Sequence, residues 1–264
     1  TLTIKVPNAR ALAAGLLEDP GPVRTFPFES SLSAHGSRQL LVLDQLEVIS
    51  GEHSLRAGGV IGDTLNLHGL NLELAFSGDD LRQLLQDPER QTVQALPYSF
   101  TAKIENQQGT WLVNELHATL AAGTVDLSAR ITGDPRHAGS TLQIKADGKN
   151  VENLIGPWVS HTLQPLPFSI SANVEAADDL LNFTNLDTRI GEHEVSGNVS
   201  VDRPPNFSKT TGELSLKGPS TTELGGLLGV EYQFLDRSYL ATFKLEGSRD
   251  ELILNDFSIT IGES

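Results

Sequence analysis

Apolar and polar residues alternate along most of this chain, and the alternating stretches return at a fixed interval. Period two marks a β-strand with one wet face. The tripeptides Phe26-Pro27-Phe28, Leu96-Pro97-Tyr98 and Leu166-Pro167-Phe168 stand 70 residues apart. Gly51-Glu52-His53 recurs 140 residues later as Gly191-Glu192-His193. Leu46, Leu116 and Leu186 hold one phase, and Phe257 takes that place in the next copy. A self-similar period of this length means a repeat architecture. The chain divides into the end of a truncated repeat with its helix (1–25), three repeats (26–95, 96–165, 166–236) and the start of another (237–264), forming one continuous array.

Each repeat predicts four strands and a short helix. The first strand carries Phe26, Phe28, Leu32; then Tyr98, Phe100, Ile104; then Phe168, Ile170, Val174; then Tyr239, Phe243, Leu245. A turn rich in Gly, Asn and Asp follows. The second strand carries Leu41, Leu43, Leu46, Val48; Trp111, Val113, Leu116, Leu120; Leu181, Phe183, Leu186, Ile190; and Leu252, Leu254, Phe257, Ile259, Ile261. Its apolar phase slips by one residue at Asp44-Gln45, Asn114-Glu115, Thr184-Asn185 and Asn255-Asp256. A hairpin there would leave one very short strand facing a long partner, so the slip predicts a β-bulge. A Gly turn leads to the third strand (Leu55 to Ile61, Val125 to Ile131, and Val195 to Val201, which includes Val199). The fourth holds Leu72, Leu74, Phe76; Leu142, Ile144; and Leu214, Leu216. Leu2-Ile4-Val6 is a fourth strand as well. Helical spacing appears at Leu81-Leu84-Leu85, Val151-Leu154-Ile155 and Leu224-Leu227-Leu228. Asp79 and Asn150 are capping candidates there, and Gly156 and Gly229 are stops.

These elements predict a mostly β protein, an elongated antiparallel sheet of about 15 strands. So large a sheet closes, splits or curls. Its helices are too few to cover a continuous apolar face, so the sheet curls over that face. The result is either a packed core or an open apolar groove. A groove would hold acyl chains by non-directional contacts and would need no catalytic group. Its candidate lining is Phe28, Leu32, Leu46, Val48, Leu72, Leu74, Phe76, Tyr98, Phe100, Ile104, Trp111, Val113, Leu116, Leu120, Leu142, Ile144, Phe168, Ile170, Val174, Phe183, Leu186, Ile190, Val199, Val201, Leu214, Leu216, Phe243, Leu245, Leu254, Phe257 and Ile259.

Composition removes several classes. The 264 residues hold 19 Lys+Arg against 34 Asp+Glu, a formal charge of −15, which argues against nucleic acid. With no Cys, disulfides, thiolate metal sites and a Cys nucleophile are excluded. No Met is present and the chain opens inside a strand pattern, as expected of a piece of something longer. No apolar run approaches the roughly 20 residues of a bilayer span. Enzyme signatures such as G-x-S-x-G, H-E-x-x-H and the P-loop are missing, and no cofactor or metal is expected. His53 and His193 recur, but Gly123 and Ser264 replace them in other copies, so they read as polar turn residues. Asp79-Asp80 and Asp178-Asp179 read as cap and turn chemistry.

The ordered set of the Pro-aromatic strand, the phase slip, the stretch Gly191 to Gly197-Asn198-Val199-Ser200-Val201-Asp202, the strand Leu214-Ser215-Leu216-Lys217-Gly218 and the helix end Leu227-Leu228-Gly229 resembles the repeats of the AsmA family. The resemblance runs through the whole chain in phase. It implies a periplasmic β-groove (a "β-taco") tethered to the inner membrane by an N-terminal helix outside this chain. It implies phospholipid acyl chains as cargo between the bacterial membranes, a role in outer-membrane biogenesis, and protein partners of either membrane at the groove ends. The rival reading is a structural or adhesive β-repeat with a closed, dry core. A ligand-binding sandwich and an enzyme rank behind it.

Overall fold

The computed structural model describes residues 2–6, 28–37, 39–80, 97–120, 123–133, 138–152, 164–177, 180–202, 209–229, 236–248 and 251–262. These residues form fifteen strands and one helix. The protein is mostly β, as the alternation predicts. Two compact units divide it, Thr1–Ala121 and Ala122–Ser264. The division falls between the second and third strands of the repeat at 96–165 and does not follow the repeat boundaries.

The first unit holds β1 (Leu2–Val6), β2 (Phe28–Gly36), β3 (Leu41–Ser50), β4 (His53–Ile61), β5 (Leu70–Gly78), β6 (Tyr98–Gln107) and β7 (Thr110–Leu120). The second holds β8 (Gly123–Thr132), β9 (Thr141–Gly148), β10 (Phe168–Ala177), β11 (Leu180–Ile190), β12 (His193–Asp202), β13 (Thr210–Gly218), α1 (Thr221–Leu228), β14 (Tyr239–Gly247) and β15 (Leu252–Ile261). In each unit the strands pair antiparallel in chain order, as an open, curled sheet. Within a repeat, two-residue turns at Gly51-Glu52, Gln108-Gly109 and Gly191-Glu192 join strands that pair with each other. Between β6 and β7, Gln108 (φ 52°) and Gly109 (φ 88°) are both left-handed, the geometry of a two-residue type I′ hairpin. The Asn106 side-chain oxygen accepts from the Gly109 N–H at 2.9 Å.

The predicted phase slips are bulges inside unbroken strands. Pairing shifts between Leu43 and Leu46 in β3 and between Phe183 and Leu186 in β11. Three of the residues that make the slip are left-handed: Glu115 (φ 52°), Asn185 (φ 53°) and Asp256 (φ 49°). Asn and Asp tolerate that region better than most residues, which is why a polar residue stands at the slip. Without the extra residue, period two would turn half of each long strand inside out.

Of the predicted helices, only the one at Leu224-Leu227-Leu228 lies fully within the described residues. Ser220 caps α1, its hydroxyl accepting from the Glu223 N–H at 3.0 Å. Gly229 ends it in the left-handed region (φ 69°), as predicted. Asn150 accepts from the Glu152 N–H at 2.9 Å, a capping contact, while Leu81-Leu84-Leu85, Leu154-Ile155 and Gly156 lie outside the described residues. Asp178-Asp179 lie outside them too. Few side chains are fully buried. One cluster forms where Val151 and Phe168 meet Ala146, Leu166, Ile170 and Ile190.

Backbone spacing predicts a strong position dependence for glycine. Gly197 has φ 148°, and a Cβ there would collide with the Glu213 carbonyl oxygen of the adjacent strand. Gly226 in α1 has open space at its Cβ position. Gly197→Ala should therefore lower unfolding stability by about 1–3 kcal/mol. Gly226→Ala should raise it by about 0.5–1 kcal/mol. Urea unfolding of the two variants reads both signs, and equal effects would contradict the stated geometry.

Candidate functional site

Residues directly opposite each other in an antiparallel ladder share a face. In the first unit, Phe76 stands opposite Leu55 and Phe100, Leu72 opposite Gly59 and Ile104, and Leu74 opposite Ala57 and Ala102. Leu46 and Val48 face Ala57 and Leu55, while Leu32 faces Leu46. Ile104 faces Val113 and Asn106 faces Trp111; Leu116 follows the bulge in phase with Leu120, which faces Tyr98. Phe28 takes the same register position, opposite Val6 and Ser50.

The second unit repeats this order. Val174 stands opposite Leu142 and Phe183, and Ile170 opposite Ala146. Ile144 faces Leu127 and Ala172, and Phe168 faces Ile190. Phe183 faces Val199, and Leu186 faces Gly197, which faces Leu214. Val201 faces Leu181, and Leu216 faces Val195. Phe243 faces Leu214, Leu245 faces Leu254, and Ile259 faces Ala241, with Phe257 in phase beyond the bulge. Every predicted lining residue thus falls on one face of its unit.

That face is neither a sealed core nor bare surface. Leu32, Leu46, Val48, Leu72, Leu74, Phe76, Phe100, Ile104, Trp111, Val113 and Leu116 are half-buried, and so are Leu142, Ile144, Val174, Phe183, Leu186, Val199, Val201, Leu214 and Leu216. Aromatic rings meet across strands, Phe76 and Phe100 edge to face at 5.1 Å and Phe243 and Phe257 at 6.5 Å. Among the described residues, the strong contacts between elements join sheet neighbours, with no second layer packed on this face. Two predicted lining residues on this face are covered within their own unit. Tyr98 and Phe168 are buried: Tyr98 reaches over Gly78 to His53, and Phe168 lies over Gly148 and packs against Val151.

The opposite face is polar. Arg56 pairs with Glu47 at 2.9 Å, and Glu194 takes both Arg189 (3.1 Å) and Lys217 (2.7 Å). The Lys217 hydrogen bond, followed by the charges of Arg189 and Lys217, holds the Glu194 carboxyl below its ordinary range. Exposed pairs of this kind add little stability but keep the outer face wetted.

The recurring histidines are corrected by the structure. His53 and His193 are the first residues of β4 and β12 and are only 4% and 3% exposed, not polar turn residues. His53 Nδ1 lies 2.8 Å from the Tyr98 hydroxyl, and His193 Nδ1 lies 2.8 Å from the Tyr239 hydroxyl. In each pair the bond crosses an intervening strand at a glycine. A Cβ at Gly78 or Gly218 would run into the histidine Nδ1 and lie 2.7 Å from the tyrosine oxygen. At the third junction the partners change together. Gly123 replaces the histidine, Phe168 replaces the tyrosine, and the Phe168 ring lies across Gly148 and Gly123. The aromatic ring covers backbone that glycine leaves bare. Turn glycines tie in as well: Gly191 donates to the Pro167 carbonyl at 2.7 Å and Gly262 to the Ser238 carbonyl at 2.9 Å. The signal was present in the chain, since each copy with His is followed by one whose first strand opens with Tyr, and the copy with Gly123 by one that opens with Phe168.

Tyr239 is pushed up to about 12, by burial first and by the Glu223 carboxylate second, and burial also raises Tyr98. His193 Nε2 lies 3.3 Å from Glu223. Among the described residues no cluster of three or more His, Asp or Glu could hold a metal, and no helix is long and apolar enough to cross a membrane. No protein-family model, curated protein or solved structure matches this chain.

Coupling between the two partners is measurable. Tyr239→Phe alone leaves the buried His193 Nδ1 short of its partner and should cost about 1–3 kcal/mol. His193→Gly combined with Tyr239→Phe reproduces the Gly123–Phe168 junction. The double variant should lose less than the two single losses added, by about 0.5–3 kcal/mol, in urea unfolding. Additive losses would show that the pair is not a unit. A pH series adds a second readout. Because the fold raises the Tyr239 pKa, its contribution is complete below pH 10 and is lost as pH rises through about 12. Tyr239→Phe should flatten that alkaline decline.

Proposed function

We propose that this chain is a non-enzymatic, lipid-conducting segment in which the apolar face of each sheet unit holds phospholipid acyl chains. One observation carries the reading: the aligned, half-buried apolar face with no second layer of described secondary structure upon it. Half-buried leucine, valine and phenylalanine side chains still offer apolar area, worth about 25 cal/mol per Å² removed from water. Acyl chains contact such a face by dispersion, without directional bonds, and so move along it at low cost. The headgroup stays in solvent. The net charge of −15 disfavours adsorption of the outer surface to anionic membranes, which leaves the apolar face as the lipid-binding element. The sequence resemblance to the AsmA family supports a periplasmic setting and transfer between the two bacterial membranes.

The test is native mass spectrometry with lipid extraction on the protein purified from bacteria. Co-purifying phospholipid is expected for the unaltered chain. Phe100→Asp and Ile144→Asp place a charge on the half-buried face of each unit and should remove the lipid while circular dichroism stays unchanged. Lys103→Ala, on the opposite face, should leave lipid content as it is. Ile170→Asp is a poorer choice than the sequence indicates, because Ile170 packs against the Val151–Phe168 cluster. A lipid-free mass, with no uptake of fluorescent phospholipid, would turn the assignment to a scaffold.

A further inference from the structure

Two segments of the second unit hold the same place in the repeat and are anchored differently. One follows β9 and begins at Val151; the other is α1, which follows β13 and begins at Thr221. The same backbone bond ties each to the stretch before the next repeat. The Val151 N–H donates to the Leu166 carbonyl at 2.8 Å, and the Thr221 N–H donates to the Arg237 carbonyl at 3.0 Å. At the first, Val151 is 2% exposed and packs against Phe168, an apolar plug at the edge of the sheet. At the second, Thr221 takes the place of the valine and is half-buried, and the anchor is polar. The Glu223 carboxylate lies 3.3 Å from His193 Nε2, and His193 Nδ1 lies 2.8 Å from the Tyr239 hydroxyl. A carboxylate only accepts, so Nε2 carries a proton; on a neutral ring Nδ1 then accepts and the tyrosine hydroxyl donates. Among the described residues, α1 makes no broad contact with any strand.

We infer that α1 is a releasable strap at the edge of the apolar face of the second unit, latched by Glu223 through His193, and that its release gates the passage of acyl chains at that edge. His193 continues the alternation of Val195, Gly197 and Val199, so it belongs to the apolar face. The bond from Glu223 therefore brings the first turn of α1 onto the end of that face. The two sides of the latch differ in their surroundings. His193 and Tyr239 are buried, whereas the Glu223 side chain is 55% exposed. Water takes over an exposed carboxylate when the bond opens, so opening exchanges one hydrogen bond for another at small net cost. An apolar plug such as Val151 has no such exchange, because leaving its site exposes apolar surface to water. Release of Glu223 leaves the ladders of β12, β13 and β14 intact, since none of their pairings runs through α1. The Thr221 bond to Arg237 and the Ser220 hydroxyl bond to Asp236 keep the root of the helix tethered, so it swings from that end. The gating role rests on the acyl-chain reading of this face; the latch itself does not.

Hydrogen exchange of the α1 amides in the full chain reads the latch, and the rate of uptake of fluorescent phosphatidylethanolamine from vesicles reads the gate. Glu223→Ala should speed exchange in α1 about tenfold, the loss of one hydrogen bond to a charged group. Ala is the better helix former, so faster exchange would not come from propensity. Glu223→Gln keeps an acceptor for Nε2 and removes the charge, and it should restore most of the protection; the comparison separates the bond from the first-turn charge. Thr221→Val combined with His193→Gly and Tyr239→Phe rebuilds the anchor of Val151, Gly123 and Phe168. That variant should slow both exchange in α1 and lipid uptake, while the final amount of bound lipid stays the same. The Glu223 pair decides the latch even where the triple variant does not fold. Unchanged exchange in Glu223→Ala would overturn the latch, and exchange rising equally in β12 and β14 would make Glu223 a brace of the sheet instead. Equal uptake rates across variants whose α1 exchange differs would overturn the gate. No lipid uptake by any chain, the unaltered one included, would remove the gate together with the acyl-chain reading, with the exchange result still deciding the latch.

Discussion

Backbone pairing between consecutive strands is the interaction on which the rest of this protein depends. Most described side chains on the apolar faces are half-buried, and the cluster of described residues around buried Val151 and Phe168 is small. Order therefore comes from ladders in which each strand satisfies its neighbour's N–H and C=O groups. A ladder also sets register, and register decides which side chains share a face. The bulges at Glu115, Asn185 and Asp256 keep that face apolar through strands longer than a simple alternation would allow. A single extra residue in each long strand thus maintains one continuous surface within each unit.

Where one repeat meets the next, the ladder is reinforced by side chains. An aromatic residue at the start of the incoming strand lies across a glycine of its neighbour and reaches the residue beyond. In two junctions that residue is a buried histidine bonded to a tyrosine hydroxyl, and in the third it is a glycine under a phenylalanine ring. The hydroxyl and the imidazole are useful only together. A buried histidine beneath phenylalanine would lack its partner, and a tyrosine above glycine would bury an unpaired hydroxyl. Paired exchange between copies follows from that constraint.

The same architecture separates two surfaces with different chemistry. Ion pairs such as Arg56–Glu47 and Lys217–Glu194 occupy the polar face, where water screens them. The other face presents aliphatic and aromatic side chains that stand out from the sheet beside their cross-strand neighbours. A surface of this kind holds its contacts by dispersion and does not need a precisely placed polar group. The acyl-chain proposal draws on that contrast between faces.

Much of the architecture was legible in the residues themselves. Period two identified the strands, the one-residue slip identified the bulges, and Gly229 marked a helix end, because each follows from local backbone geometry. The same alternation named the residues of the apolar face, since side-chain direction in a strand depends on position alone. Burial did not follow from alternation. Tyr98 and Phe168 carry the same phase as Phe100, yet they are covered because their rings fold over Gly78 and Gly148. His53 and His193 follow turn residues and read as polar, and only strands remote in sequence, bringing Tyr98 and Tyr239 within 2.8 Å, made them interior. Local sequence determined which way each side chain points; the tertiary structure decided what lies above it, because that depends on neighbours some 45 residues away.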